Sequence, residues 1–152
     1  MLDTQLPDFS IPTTGNQRFT LSEQTGKLIV IYFYPKDSTP GCITEGQNFR
    51  DLHDQFLAVD AIILGISRDS LKSHENFKAK QNFPFELGSD PDEAVCELFG
   101  VMKMKNMYGK QVRGIERSTF VIDRAGVLRR AWRGVKVPGH AQEVLDFVKS
   151  LA

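Results

Sequence analysis

The chain has 152 residues, with 19 Lys plus Arg set against 19 Asp plus Glu, so its formal charge is zero. This is the size of one domain, read as residues 1–152, and it can bury a core without disulfide or metal staples. Scattered charge of both signs leaves no basic footprint for nucleic acid and no polybasic arm for a membrane surface.

The N-terminal MLDTQLPDFSIP lacks the basic-then-apolar order of a signal peptide, and the longest apolar run, Leu28 to Phe33, is too short to span a bilayer. Two cysteines do not make a secreted disulfide framework. The expectation is a soluble, cytoplasmic, monomeric protein in a reducing compartment.

Lys27 to Tyr34 is a continuous β-branched and aromatic run, which predicts a buried strand. Gly41 to Phe56 follows with Phe49, Leu52, His53 and Phe56 at helical spacing. Ala61 to Ser67 predicts a second buried strand, and 70–81 a helix capped by Ser70 or Asp69. Pro84 to Asp90 predicts a short strand. Residues 91–99 predict a helix that stops in a left-handed cap at Gly100. Ser118 to Asp123 and Val127 to Arg133 flank Arg124-Ala125-Gly126, a hairpin signal, and 138–151 predicts a last amphipathic helix.

Strand, helix, strand, helix, then hairpin and helix is an α/β order, with a central mixed sheet flanked by helices on both faces. Functional loops of such sheets gather at the carboxyl ends of the strands, where Cys42 falls. Thr39 before Pro40 is biased to extended backbone and suits an N-cap, and Pro40 suits the first helical position. Cys42 then lies in the first turn, where unpaired N–H groups and the helix dipole favour thiolate over thiol. A free cysteine is also often only a small buried hydrophobe; its placement after Thr-Pro-Gly favours the reactive reading.

The stretch PKDSTPGCITE resembles the active-site segment of the peroxiredoxins, in which Pro, Thr and Cys are separated by three and two residues. FYPKDSTPGCITE and the later Lys105-NMYGKQVRGIERSTFVID look like the bacterioferritin-comigratory-protein or PrxQ branch. The resemblance implies a thioredoxin-like fold and thiol-dependent reduction of hydrogen peroxide and organic hydroperoxides, with no cofactor and no metal. It also implies roles for four residues. Cys42 matches the peroxidatic cysteine, Thr39 the hydroxyl beside it, Pro35 the shielding proline and Arg117 the arginine that polarises thiolate and peroxide. From spacing alone, Arg117 is equally a surface cation, and Glu45 is either an arginine-orienting group or a first-turn acid favoured by the dipole.

Many relatives in this branch carry a resolving cysteine five positions after the peroxidatic one, where this chain has Gln47, or on the next helix, where it has Lys78. Cys96 is the remaining thiol, read either as structural or as a possible resolving cysteine. The resemblance therefore implies a one-cysteine cycle completed by an external thiol: a thioredoxin, a glutaredoxin or a small-molecule thiol. The alternatives are a Cys42–Cys96 disulfide and a redox-inactive thioredoxin-like binding module. His53, His74 and His140 show no metal-ligand spacing and read as surface or helix-face residues. Trp132, Tyr108 and Met104 read either as walls of an organic-peroxide pocket or as packing residues.

Overall fold

A computed structural model describes residues 2–152. The chain opens with a hairpin of β1 (Ser10–Thr13) and β2 (Gln17–Thr20) and a 3-10 turn, Leu21–Gln24. Then come β3 (Leu28–Phe33), α1 (Pro40–Ala58), β4 (Ala61–Ser67), α2 (Leu71–Gln81), β5 (Glu86–Ser89) and α3 (Ala94–Phe99). A second hairpin, β6 (Met102–Met107) and β7 (Lys110–Ile115), leads to β8 (Ser118–Ile122), β9 (Leu128–Arg133) and α4 (His140–Leu151).

Seven strands form one mixed sheet in the order β2-β1-β5-β4-β3-β8-β9, and β6 and β7 pair separately. β3, β4 and β5 run parallel, whereas β8 is antiparallel to β3. β3 is buried at every position because it is central in the sheet and covered on both faces. Strand alternation divides its side chains. Leu28, Val30 and Tyr32 pack with Phe49 and Phe56 of α1, Phe77 of α2 and Val144, Leu145 and Val148 of α4. Ile29, Ile31 and Phe33 pack on the other face with Val95, Cys96 and Phe99 of α3.

The expected α/β architecture is present, with β4 at its predicted bounds and Gly100 closing α3 at φ 67°. Ser70 caps α2 by accepting from Ser73 N. α3 starts at Ala94 rather than Pro91, because Glu93 is left-handed at φ 66° and cannot extend the helix backwards. α4 starts at His140, after Gly139 at φ 77°.

Both short hairpins escaped the sequence reading. In the second, Met107 pairs with Lys110 across a two-residue loop, and Tyr108 and Gly109 both have positive φ, 53° and 78°. That is the backbone of a type I′ turn. His74 and His140, expected at the surface or on a helix face, are both buried. Among the described residues no helix is long and apolar enough to cross a membrane.

Close packing meets α1 at Gly46, where an added Cβ would lie 2.3 Å from Phe83 Cζ. The Phe83 ring has little freedom, since it stacks on Phe85 and meets Phe77 edge-on. Gly46→Ala is therefore expected to lower stability by about 1–3 kcal/mol through overpacking. The test is a shift of the urea unfolding midpoint at unchanged slope; an unmoved midpoint would mean that the ring gives way freely.

Candidate active site

The carboxyl end of β3 brings the site together. Phe33 pairs with Ser118, so Arg117, the residue before β8, stands at the same rim as the loop that starts α1. Seventy-five residues of sequence separate Arg117 from Cys42, yet its Nη2 donates to Cys42 Sγ at 3.4 Å. Its Nη1 donates to Glu45 Oε1 at 2.6 Å. Gly41 leaves room for this guanidinium, because a Cβ there would meet Nη2 at 3.2 Å.

α1 buries Cys42, Glu45, Gly46, Phe49 and Phe56, a stripe at three-, four- and seven-residue spacing. Glu45 is a carboxyl group on that apolar stripe and is only 1% exposed. Burial raises its pKa to about 7, against the opposing charge and hydrogen bond of Arg117. Its second oxygen, Oε2, has no hydrogen-bond partner among the described residues. Burial also disfavours the Arg117 charge, but Glu45 and Cys42 more than offset this, and its pKa lies above the ordinary value. The two anion-forming groups and the guanidinium thus form one electrostatic unit.

Thr39 is the N-cap residue of α1 in extended backbone, with Pro40 following. Its hydroxyl makes no capping bond; it donates to Lys36 O at 2.9 Å and closes the preceding turn. Pro35 is half-buried between β3 and that turn. A second cation, Lys105, donates to Ile115 O and lies across Gly114, and burial and the Arg117 charge lower its pKa.

Cys96 lies in the core on the opposite face of the sheet from Cys42. It is fully buried, and burial, then Asp90, pushes its thiol up. Trp132 packs edge-on against His140 and Phe147, away from Tyr108, which is fully exposed at the tip of the β6–β7 turn. The three pocket candidates are therefore not gathered.

Sequence reasoning missed a buried polar cluster beside the site, formed by Tyr34, Asp37, Asp69, Ser73 and His74. Its signal was Asp37 in a loop after a buried strand, but the partner lies 37 residues away.

Residues 2–131 match the AhpC/TSA family. The chain is 56% identical over 145 residues to peroxiredoxin Bcp of Xanthomonas campestris pv. campestris, covering 95% of this chain and 91% of that protein. It is 47% identical over 146 residues to peroxiredoxin Bcp of Bacillus subtilis, covering 96% and 93%. A crystal structure of a Xylella fastidiosa PrxQ cysteine mutant superposes with a TM-score of 0.94 at 47% identity, covering 99% of this chain and 96% of that one. The X. campestris bacterioferritin comigratory protein, studied in trapped intermediate and ligand complexes for its alkyl peroxide reduction, superposes at 0.89 with 55% identity over 93% and 90%. A buried cysteine at the mouth of a helix, faced by a guanidinium on a thioredoxin-like sheet, thus agrees with the kinship: the chain belongs to the AhpC/TSA family, in its Bcp/PrxQ peroxiredoxin branch, and is a thiol-dependent peroxidase.

Proposed function

We propose that Cys42 is the peroxidatic thiol for hydrogen peroxide and organic hydroperoxides, and that an external thiol completes a one-cysteine cycle. The observation that carries this reading is the Arg117 guanidinium bridging Cys42 Sγ and Glu45 Oε1. The Cys42 thiolate attacks the terminal peroxide oxygen in line. The S–O bond forms as the O–O bond breaks. The leaving oxygen takes a proton and departs as water or alcohol, and Cys42 becomes a sulfenic acid.

Negative charge moves from sulfur to the leaving oxygen, so donors that already face the sulfur stabilise the transition state. Arg117 supplies such donors, together with the open backbone N–H groups at the start of α1. Thr39 donates to Lys36 O, and its lone pairs stay available to accept from a peroxide O–H. Pro35 has no N–H to compete and helps to exclude water. Holding the peroxide between these groups lowers the entropic part of the barrier.

Support for an external reductant comes from Cys96, which is buried across the sheet and whose thiol is pushed up. A disulfide needs Cα atoms within about 7 Å, so pairing with Cys42 would require the core to open. The reductant, a thioredoxin, a glutaredoxin or a small-molecule thiol, attacks the sulfenic acid, releases water and leaves a mixed disulfide. A second thiol reduces that bond and regenerates Cys42.

Cys42→Ser is expected to abolish peroxide consumption, and Cys96→Ser to leave turnover with an external thiol intact. Intact mass after one equivalent of peroxide distinguishes the cycles: a gain of one oxygen is expected, and a loss of two hydrogens would establish the Cys42–Cys96 bond. Arg117→Ala is expected to slow the peroxide step by on the order of a hundredfold, as loss of one preorganised donor does elsewhere. Stopped-flow rates check this, and an unchanged rate would remove Arg117 from the reaction.

Glu45 gives a pH prediction. Its folded pKa of about 7 lies above its ordinary value of 4.5, so the folded state holds the proton more tightly. Its contribution to stability is full below about 4.5 and is lost as pH rises through about 7. The span corresponds to roughly 3 kcal/mol. Glu45→Gln should flatten that part of the stability–pH curve, measured by urea unfolding between these pH values. An unchanged slope would place its origin in another group.

A further inference from the structure

The turn between β3 and α1 is held from the far side of the loop. Asp37, 6% exposed, takes Tyr34 O–H on Oδ1 at 2.7 Å. On Oδ2 it takes Ser73 O–H at 2.8 Å and meets His74 Nδ1 at 2.7 Å. The other ring nitrogen, His74 Nε2, lies 2.9 Å from Gly88 O of β5. His74 is completely buried.

Hydrogen-bond accounting limits the protonation state. Gly88 O only accepts, so Nε2 must carry a proton. Asp37 collects three contacts, two of them from hydroxyls that donate. Nδ1 and Asp37 Oδ2, 2.7 Å apart, share one proton between them, and Tyr34 Oη lies 3.4 Å from the same nitrogen. The other titratable groups facing the pair are Tyr34, at the end of β3, and Asp69, whose Oδ2 accepts from Asp37 N at 2.9 Å and from Ser67 O–H at 2.6 Å. Neither α2 nor β5 brings a competing cation to the ring among the described contacts. A His74–Asp37 pair sharing that proton therefore satisfies all of these partners.

The same turn is strained. Ser38, the residue after Asp37, sits at φ 63°, a left-handed conformation that a non-glycine residue holds at a cost of roughly 1–2 kcal/mol. The next residue is Thr39, and α1 starts at Pro40, two residues before Cys42. A strained turn keeps its shape only when its surroundings over-determine it. Here Asp37 does so, fixed to α2 and β5 through His74.

We propose that His74 is a positioning residue for the thiol: clasped between Asp37 and the Gly88 carbonyl, it fixes the turn that launches α1 and so holds Cys42 Sγ within reach of Arg117. This rests on Cys42 being the peroxidatic thiol. His74 touches neither sulfur nor peroxide; it acts through the backbone of residues 37–42.

Two measurements test it. Long-range proton–nitrogen NMR of the reduced wild-type protein at neutral pH should show a proton on His74 Nε2, the nitrogen that faces Gly88 O; a bare Nε2 would overturn the proposal. Asp37→Asn keeps the shape and replaces one carboxyl oxygen by an amide, and His74→Gln removes the imidazole. Each should slow Cys42 oxidation by roughly ten- to a hundredfold, as a misplacement of about 1 Å does. Variants that lose thermal stability yet oxidise at the wild-type rate would show a staple with no positioning role. Intact mass of the oxidised wild type separates this from the parent reading: if oxygen does not add at Cys42, that reading fails first.

Discussion

Arg117 is held at 17% side-chain exposure between a sulfur and a carboxyl oxygen, and the remaining features of the site take their meaning from how this cation is divided. At 3.4 Å, a guanidinium and a thiolate attract by roughly 5 kcal/mol at an effective dielectric of 20. Desolvation offsets much of that attraction. What survives depends on Glu45. When Glu45 is protonated, Arg117 faces the sulfur with its charge undivided. When Glu45 ionises, the carboxylate orients the guanidinium more firmly and also draws on its charge. Because burial places that transition near neutrality, the field felt by the sulfur varies with pH around 7.

The sheet gives this arrangement its precision. Arg117 reaches Cys42 because β8 runs antiparallel to β3 with Ser118 opposite Phe33. A one-residue slip in that register would turn the side chains of β8 to the other face and carry the arginine away. The register is secured by Phe120 and Ile122 packing on one face and Val121 on the other. The geometry of the candidate site is thus a consequence of ordinary core packing in the central strands. The turn from Pro35 to Thr39 and the two residues before β8, Glu116 and Arg117, lie outside regular structure.

This division explains what the sequence revealed. The apolar runs at 28–33 and 61–67 and the stop at Gly100 were legible because burial and backbone freedom write local patterns. Cys42 and Thr39 were legible through the helix start and through resemblance. Spacing alone left Arg117 undecided, since its meaning comes from a pairing of strands far apart in the chain. Glu45 carried a readable signal: an acid three residues from Cys42, on the stripe that continues to Phe49 and Phe56. The β6–β7 hairpin was masked because its strands mix methionine and lysine and stand outside the main sheet. His74 was misread as a surface or helix-face residue because its partners, Asp37 and Gly88, come from a loop and a strand that helical periodicity cannot see.

The missing second thiol fits the way α2 is anchored. Where some relatives in the branch carry a resolving cysteine, Lys78 bonds Glu86 of β5 at 2.5 Å, one turn beyond the His74 contact with Gly88. Ser70 caps the start of the same helix. A helix fastened at its cap and at two points along β5 is poorly suited to unwind and deliver a group to Cys42. The start of α1 is fastened differently: Thr39 spends its hydroxyl on the preceding turn, so no side chain caps the first turn, and Pro40 and Gly41 are exposed. On the proposed cycle, a sulfenic acid on a residue only 3% exposed must become accessible to an outside thiol. The lowest-cost route is local opening of that uncapped turn, against a fixed α2 and sheet.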